Sequence, residues 1–104
     1  MVDYQDYEGR RIRLTEERLA HILERPEMRG LEDSIPMTLA QPERVIESLS
    51  DHEARLYYRF YEGTRVGDKH LCVVVKILAA DAFIITAYLT DAVKKGNQLW
   101  PRGS

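Results

Sequence analysis

The stretch Leu71–Thr90, LCVVVKILAADAFIITAYLT, is the most apolar part of the sequence and constrains the fold more than any other segment. It is rich in β-branched residues, which favour strands. Ala79–Ala82 interrupts it at about the length of a tight connection. We therefore predict two strands, Leu71–Leu78 and Phe83–Leu89, that form a hairpin near the centre of an antiparallel sheet.

Side-chain alternation sorts the residues of this hairpin between two faces. Each strand has one apolar face, formed by Leu71, Val73, Val75 and Ile77 in the first and by Phe83, Ile85, Ala87 and Leu89 in the second. The opposite faces carry polar groups, Lys76 from the first strand and Thr86 and Tyr88 from the second. If both apolar faces lie on one side, these three residues project together from the other side, where we expect the function.

The sequence before the hairpin predicts two short helices, a short edge strand and two further strands. Thr15 is typical of a helix N-cap, and this helix runs to about Arg25 before Pro26. The other elements are a short edge strand at Arg10–Leu14, a helix at Ile35–Gln41 that Ser34 caps, and strands at Arg44–Leu49 and Arg55–Tyr61. We predict an α+β fold with two N-terminal helices packed on a four-stranded antiparallel sheet.

The chain end is interpreted separately. Thr90–Lys95 is predicted to form a helical turn that Gly96 closes, and Trp100 is expected to hold the tail against the body. The last residues look partly like a protease-site or tag remnant. We assign residues 1–100 to a single domain and residues 101–104 to a tail.

Length and composition limit the classes of protein to which the chain can belong. The 104 residues suit one domain, and the hydrophobic content of 44% suits an ordinary folded protein. The net charge of −2 gives nucleic-acid binding no global support, so such a role needs a local basic patch. The single Cys72 rules out an internal disulfide and fits a reducing compartment. With no membrane-length apolar run and a polar N-terminus, the expected location is the cytoplasm, without a membrane partner.

The residues that carry chemistry form one constellation rather than a metal site. The histidines do not show zinc-ligand spacing, and we predict neither a metal nor a cofactor. The remaining candidates are His21, Arg59, Lys76, Thr86 and Tyr88. Histidine moves protons near neutral pH, Arg and Lys hold phosphate, and hydroxyl groups position it. These are the groups needed for metal-independent RNA cleavage, in which the 2′-hydroxyl attacks the adjacent phosphorus.

Two other hypotheses about the function remain open. Arg55, Tyr57, Arg59 and Tyr61 alternate along one strand face, and such a ladder suits a non-catalytic module that binds a protein or nucleic acid. The strand Arg44–Leu49 is also a candidate exposed edge, and its pairing with a second copy would make a homo-oligomer.

A combination of short motifs resembles a known nuclease superfamily. The motifs are His21–Glu27, Gln41–Val45, Leu56–Arg59, Leu71–Lys76 and Phe83–Tyr88. Together they are similar to the phage-associated branch of the barnase–EndoU–colicin–RelE superfamily, over roughly residues 10–100.

The resemblance implies a barnase/RelE-like fold and a metal-independent endoribonuclease, as a toxin or phage-derived effector, with RNA and an antitoxin or other protein as partners. It implies that the catalytic groups lie on the open sheet face together with a histidine from the helical half. The corresponding catalytic positions are His21, Arg59, Thr86 and Tyr88, and substrate binding is assigned to Lys76, Arg55 and Tyr57.

Overall fold

Seven strands form one sheet in the computed structural model, which describes residues 1–102. The sheet order is β1-β2-β6-β5-β4-β3-β7, and every neighbouring pair is antiparallel except β2 and β6. Two α-helices and one 3-10 turn, Pro26–Met28, separate β2 from β3. The strands are β1 Val2–Gln5, β2 Arg11–Leu14, β3 Arg44–Glu47, β4 Ala54–Thr64, β5 Gly67–Ile77, β6 Ala82–Thr90 and β7 Asn97–Trp100, and the helices are α1 Glu16–Ile22 and α2 Ser34–Ala40.

The predicted fold class, two helices on a four-stranded antiparallel sheet, is therefore wrong. The predicted strands that correspond to β2 to β6 are present, the short edge strand among them, but β1 and β7 were not predicted. The parallel pairing of β2 with β6 makes the sheet of seven strands mixed. β1 and β7 have four residues each and alternate too briefly to be distinguished from loops. The segment 91–96 is an irregular connection with bends at 91, 92 and 96, and it does not form the predicted helical turn.

The first helix begins as predicted and ends three residues early. The Thr15 hydroxyl accepts a hydrogen bond from the Arg18 backbone N–H at 3.1 Å, which confirms the N-cap. Past Ile22, Glu24 and Arg25 donate their N–H groups to carbonyls three residues back. The α-helix gives way to this tighter pattern because Pro26 disfavours a helical conformation in the residue before it.

The helices cover one face of the sheet, and the main core lies between them and β4, β5 and β6. Tyr57 contributes the largest side chain of this core and is fully buried. We call this side the covered face and the opposite side the open face. The other core residues are Ile12, Leu14, Ile22, Met28, Ile35, Leu39, Val45, Leu71, Val73, Val75, Ala82, Ile84 and Ala87.

A β-bulge in β6 changes the predicted facing of its first half. Thr86 pairs with Val74 while Ile84 pairs with Val75, so Ile85 is the extra residue. Ile84 therefore packs in the main core, and Phe83 lies opposite Lys76 on the open face. The prediction that Phe83 and Ile85 share the core face with Ala87 is wrong, because strict alternation assumes an unbroken register. Beyond the bulge, Thr86 and Tyr88 share the open face with Lys76, as predicted.

The connection between β6 and β7 crosses the open face. Residues 91–96 pass over β5, β4 and β3, because β7 pairs with the far side of β3. The Lys94 backbone N–H donates to the Tyr58 hydroxyl at 3.1 Å, and Val93 packs on a second apolar cluster beneath it. That cluster comprises Ile46, Leu56, Tyr58 and Cys72, with Val74 and Tyr88 at its margin.

We expect Gly96→Ala to destabilise the protein by about 1–3 kcal/mol, the usual cost of overpacking. A Cβ atom at position 96 would lie 2.5 Å from both the Glu47 carbonyl oxygen and Ile46 Cγ2, so the connection must move away from β3. Urea unfolding measures this loss. Lys95→Ala, an exposed neighbour, is the control and should change little; equal stability of Gly96→Ala and the wild type would contradict the close approach.

Neither helix within residues 1–102 has the length and apolar character needed to cross a membrane.

Candidate functional site

Four residues on neighbouring strands form a row across the open face. Arg44 of β3 lies opposite Tyr58 of β4, Tyr58 lies opposite Cys72 of β5, and Cys72 lies opposite Tyr88 of β6. Strands are about 4.8 Å apart, so the row extends about 14 Å. At its β6 end the Arg25 guanidinium lies over the Tyr88 ring, with Cζ 5.6 Å from the ring centroid. The row thus has an arginine at each end.

The inner groups of this row are protonated at neutral pH. Burial raises the pKa of Tyr58 to about 12 and that of the Cys72 thiol to about 11. Burial, followed by the neighbouring Cys72, raises the pKa of Tyr88 even further, although Arg25 partly opposes this shift. Tyr88 therefore keeps its proton and can donate a hydrogen bond, and Cys72 is not an activated nucleophile.

His70 and Thr86 lie on the open face beside the row. Thr86 precedes Tyr88 by two residues on β6, and His70 precedes Cys72 by two residues on β5. The half-buried His70 ring contacts Phe60 edge-on at 5.1 Å and lines a cavity of about 460 Å³ with Arg44 and Tyr58. Its buried Nδ1 atom has no hydrogen-bond partner among residues 1–102. The open face therefore carries its own histidine.

His70 was missed in the sequence because the predicted strand began at Leu71. The strand in fact begins at Gly67, after a two-residue turn at Arg65 and Val66. Extending the alternation back from Cys72 would have placed His70 on the polar face.

Four cations surround the row without acidic partners. Within residues 1–102, none of the four has a carboxylate within ion-pair distance. Two lie at the ends of the row, and two lie on the connection that crosses it. We call this set, Arg25, Arg44, Lys94 and Lys95, the basic rim. It supplies locally the positive charge that the net charge of −2 lacks.

Lys76 shares the open face but is already neutralised. Its Nζ atom lies 2.6 Å from an Asp51 carboxylate oxygen and 3.4 Å from Glu53. The hydrogen bond to Asp51 raises the pKa of Lys76 and lowers that of Asp51. Its charge is therefore paired with the carboxylates of the loop before β4.

The predicted Arg/Tyr ladder lies on the covered face and is not an exposed surface. The Tyr57 hydroxyl donates to Asp6 at 2.6 Å, and Arg55 lies 3.4 Å from Glu8. Arg59 donates to the Gln41 carbonyl at 2.7 Å. The expectation of an exposed binding surface is wrong because the N-terminal segment and α2 fold over this side of β4.

His21 also lies apart from the row. Its side chain is 62% exposed and is 3.5 Å from Glu24, although α1 itself packs against β6. The structure therefore brings together Thr86, Tyr88 and Lys76, places Arg55, Tyr57 and Arg59 on the other face, and leaves His21 on the outer side of α1.

The strand Arg44–Glu47 is not a sheet edge, contrary to the prediction. β7 pairs with it antiparallel, and Trp100 lies opposite Val45. The Trp100 ring also lies 5.3 Å from that of Tyr7, which confirms that Trp100 holds the tail against the body. This strand therefore has no free edge through which it could pair with a second copy to form the predicted homo-oligomer.

Comparisons of the chain with protein-family models, with curated proteins and with solved structures found no match. The nuclease resemblance remains a prediction from short motifs. Within residues 1–102, no group of three or more His, Cys, Asp or Glu side chains is placed to hold a metal ion.

Proposed function

We propose that this chain is a small metal-independent endoribonuclease that acts along the cross-strand row of the open face. The observation that carries the proposal is the basic rim, whose four cations have no acidic partners among the described residues and surround two tyrosines. Free arginines beside an aromatic ring suit the phosphates and unstacked bases of single-stranded RNA. The motif resemblance supports the same class of activity.

The open face offers a role for each group that the reaction needs. Attack of the 2′-hydroxyl on the adjacent phosphorus requires a proton acceptor, a proton donor for the departing 5′-oxygen and donors for the phosphate charge. His70 is the proton-transfer candidate on this face, and the protonated Tyr88 phenol is the donor. Arg25 lies over Tyr88 and stabilises the phosphate, while Thr86 positions it.

The proposed site keeps Thr86 and Tyr88 from the sequence-based set, replaces two of its members and leaves out a third. Arg25 takes the place of Arg59, which lies on the covered face. His70 takes the place of His21, whose side chain points into solvent. Lys76 is left out because Asp51 and Glu53 hold it.

RNA cleavage in EDTA tests the proposal. Purified protein is incubated with a pool of single-stranded and structured RNAs, and the product ends are mapped. We expect 2′,3′-cyclic phosphate ends from the wild type. Absence of cleavage across pH 5 to 9, a range that includes the histidine titration, would overturn the nuclease proposal. Saturable RNA binding without cleavage would instead favour a binding module on the same face.

His70→Ala and His21→Ala form a matched pair that identifies the proton-transfer histidine. We expect His70→Ala to lower the cleavage rate by about 10²- to 10⁴-fold, the usual contribution of general acid–base catalysis. His21→Ala should stay within about threefold of the wild type, because its side chain is 62% exposed, lies beside Glu24 and is apart from the row. The reverse result would restore the sequence-based assignment. Circular dichroism and thermal unfolding of both variants establish that each remains folded.

A further inference from the structure

A cavity of about 650 Å³ lies on the covered face, between the end of α2 and β7, away from the cross-strand row. Its walls include Tyr7, Gln41, Pro42, Arg59 and Trp100. This volume is within the range of sites that bind small molecules. It has no part in the cleavage proposed above.

One wall of the cavity is aromatic. The rings of Tyr7 and Trp100 lie 5.3 Å apart and are tilted by 44°, and Tyr7 also packs edge-on against the buried Tyr57. Trp100 remains 39% exposed, so part of its ring is open to the cavity or to solvent. Ring faces of this kind attract a planar ligand through offset or tilted stacking.

Arg59 supplies a positive charge at the same cavity. Arg59 as a whole is half-buried, and its guanidinium donates one hydrogen bond to the Gln41 carbonyl at 2.7 Å. Among residues 1–102 it has no carboxylate within ion-pair distance. An arginine carries five N–H donors, so most of them remain available to a ligand.

The single acidic wall residue does not cancel this charge. Glu8 lies 3.3 Å from Arg10 and 3.4 Å from Arg55, so its carboxylate is shared between two other arginines. Arg59 is left as a cation beside an aromatic wall, and a small anion would provide the partner that it lacks.

We propose that this cavity binds a small anion with a planar ring, with the ring against Tyr7 and Trp100 and the anionic group on Arg59. Two sources share this chemistry, mononucleotides and aromatic carboxylates. The size of the cavity suits either source. The binding is reversible and involves no covalent step.

Trp100 is the only tryptophan of the chain, so its fluorescence reports on the cavity directly. We would titrate the protein with adenosine 5′-monophosphate and with indole-3-acetate, and repeat the measurement by ligand-observed NMR. Adenosine supplies a ring without the anion, and inorganic phosphate supplies the anion without a ring. We expect at least one ring-bearing anion to bind about tenfold more tightly than adenosine and phosphate do. The more tightly bound of the two identifies the source.

Arg59→Gln should weaken that binding by about tenfold or more, because the charge-assisted hydrogen bonds are lost. Arg65→Gln, in the exposed β4–β5 turn, is the matched control and should bind as the wild type does. Equal binding by Arg59→Gln and the wild type, or no saturable signal with either ring-bearing anion, would overturn the proposal. Arg59→Lys keeps the positive charge and should therefore bind more tightly than Arg59→Gln. Circular dichroism establishes that both variants are folded.

Discussion

Asp6→Ala is expected to lower the free energy of unfolding by about 3–5 kcal/mol, the range found when one partner of a buried charged pair is removed. The Asp6 side chain is fully buried. One carboxylate oxygen accepts the backbone N–H groups of Glu8 and Arg10 at 2.9 Å each. The other accepts the Tyr57 hydroxyl at 2.6 Å and the Arg10 guanidinium at 3.0 Å.

Removal of this carboxylate leaves four donors without their acceptor. The energetic cost is greatest at Tyr57, since this residue is fully buried and its hydroxyl lies in the core between the N-terminal segment and β4. Its pKa is raised by burial and then by Asp6, so the phenol stays protonated and needs an acceptor.

Urea unfolding of Asp6→Ala and Asp3→Ala measures this difference. Asp3 is an exposed residue that pairs with Arg11 alone, so its replacement should cost well below 1 kcal/mol. Equal losses for the two variants would contradict the buried network. A double-mutant cycle with Tyr57→Phe isolates the Asp6–Tyr57 bond, and its coupling energy should be clearly different from zero.

Tyr88→Phe is expected to reduce RNA cleavage by about 10²- to 10⁴-fold while leaving the fold intact. The change removes only the hydroxyl and keeps the ring on which Arg25 lies. Because burial holds the Tyr88 phenol in its protonated form, the hydroxyl is the donor that the departing oxygen would lose. The effect should fall on the maximal rate more than on substrate affinity, since Arg25 and the rest of the basic rim remain.

Single-turnover cleavage with excess enzyme measures the rate of the chemical step for this variant. Tyr4→Phe is the control, because Tyr4 packs against the core on the covered side of β1 and lies away from the row. Full activity in Tyr88→Phe would remove Tyr88 from the chemistry. Loss of activity together with loss of the wild-type melting temperature would show that the hydroxyl is needed for packing.

The central strands were predictable because their residues alternate over long runs. The predicted strand Leu71–Leu78 lies within β5 except for Leu78, and Phe83–Leu89 lies within β6. The Thr15 cap indicated the start of α1. The places of β2 and β7 in the sheet were not predictable in the same way, because each of these strands pairs with a strand far along the chain. β2 meets β6 through Arg13 and Phe83, and no local pattern records such a contact.

Of the candidate site residues, only those of β6 and Lys76 of β5 were assigned to the correct face of the sheet. Parity placed Thr86 and Tyr88 on the same face, but it could not show which face of β4 the helices cover. Arg59 and Tyr57 were therefore assigned to the open face. The buried acceptor Asp6, which explains the position of Tyr57, lies in an N-terminal segment for which no element was predicted. The contact of Arg25 with Tyr88 depends on α1 ending beside β6, a tertiary fact that no spacing encodes.

The connection that crosses the open face also bears on the order in which the molecule assembles and opens. The β4–β5 and β5–β6 hairpins close over short loops, whereas β7 reaches β3 only after the chain has returned across the sheet. Pairings between residues far apart along the chain carry a larger loop-closure cost. We therefore expect segment 91–96 and β7 to pair after the two hairpins. Transient opening of this segment would expose Tyr58 and Cys72 while the hairpins below remain paired. Access to the centre of the row would then depend on the local stability of the segment as well as on the shape of the open face.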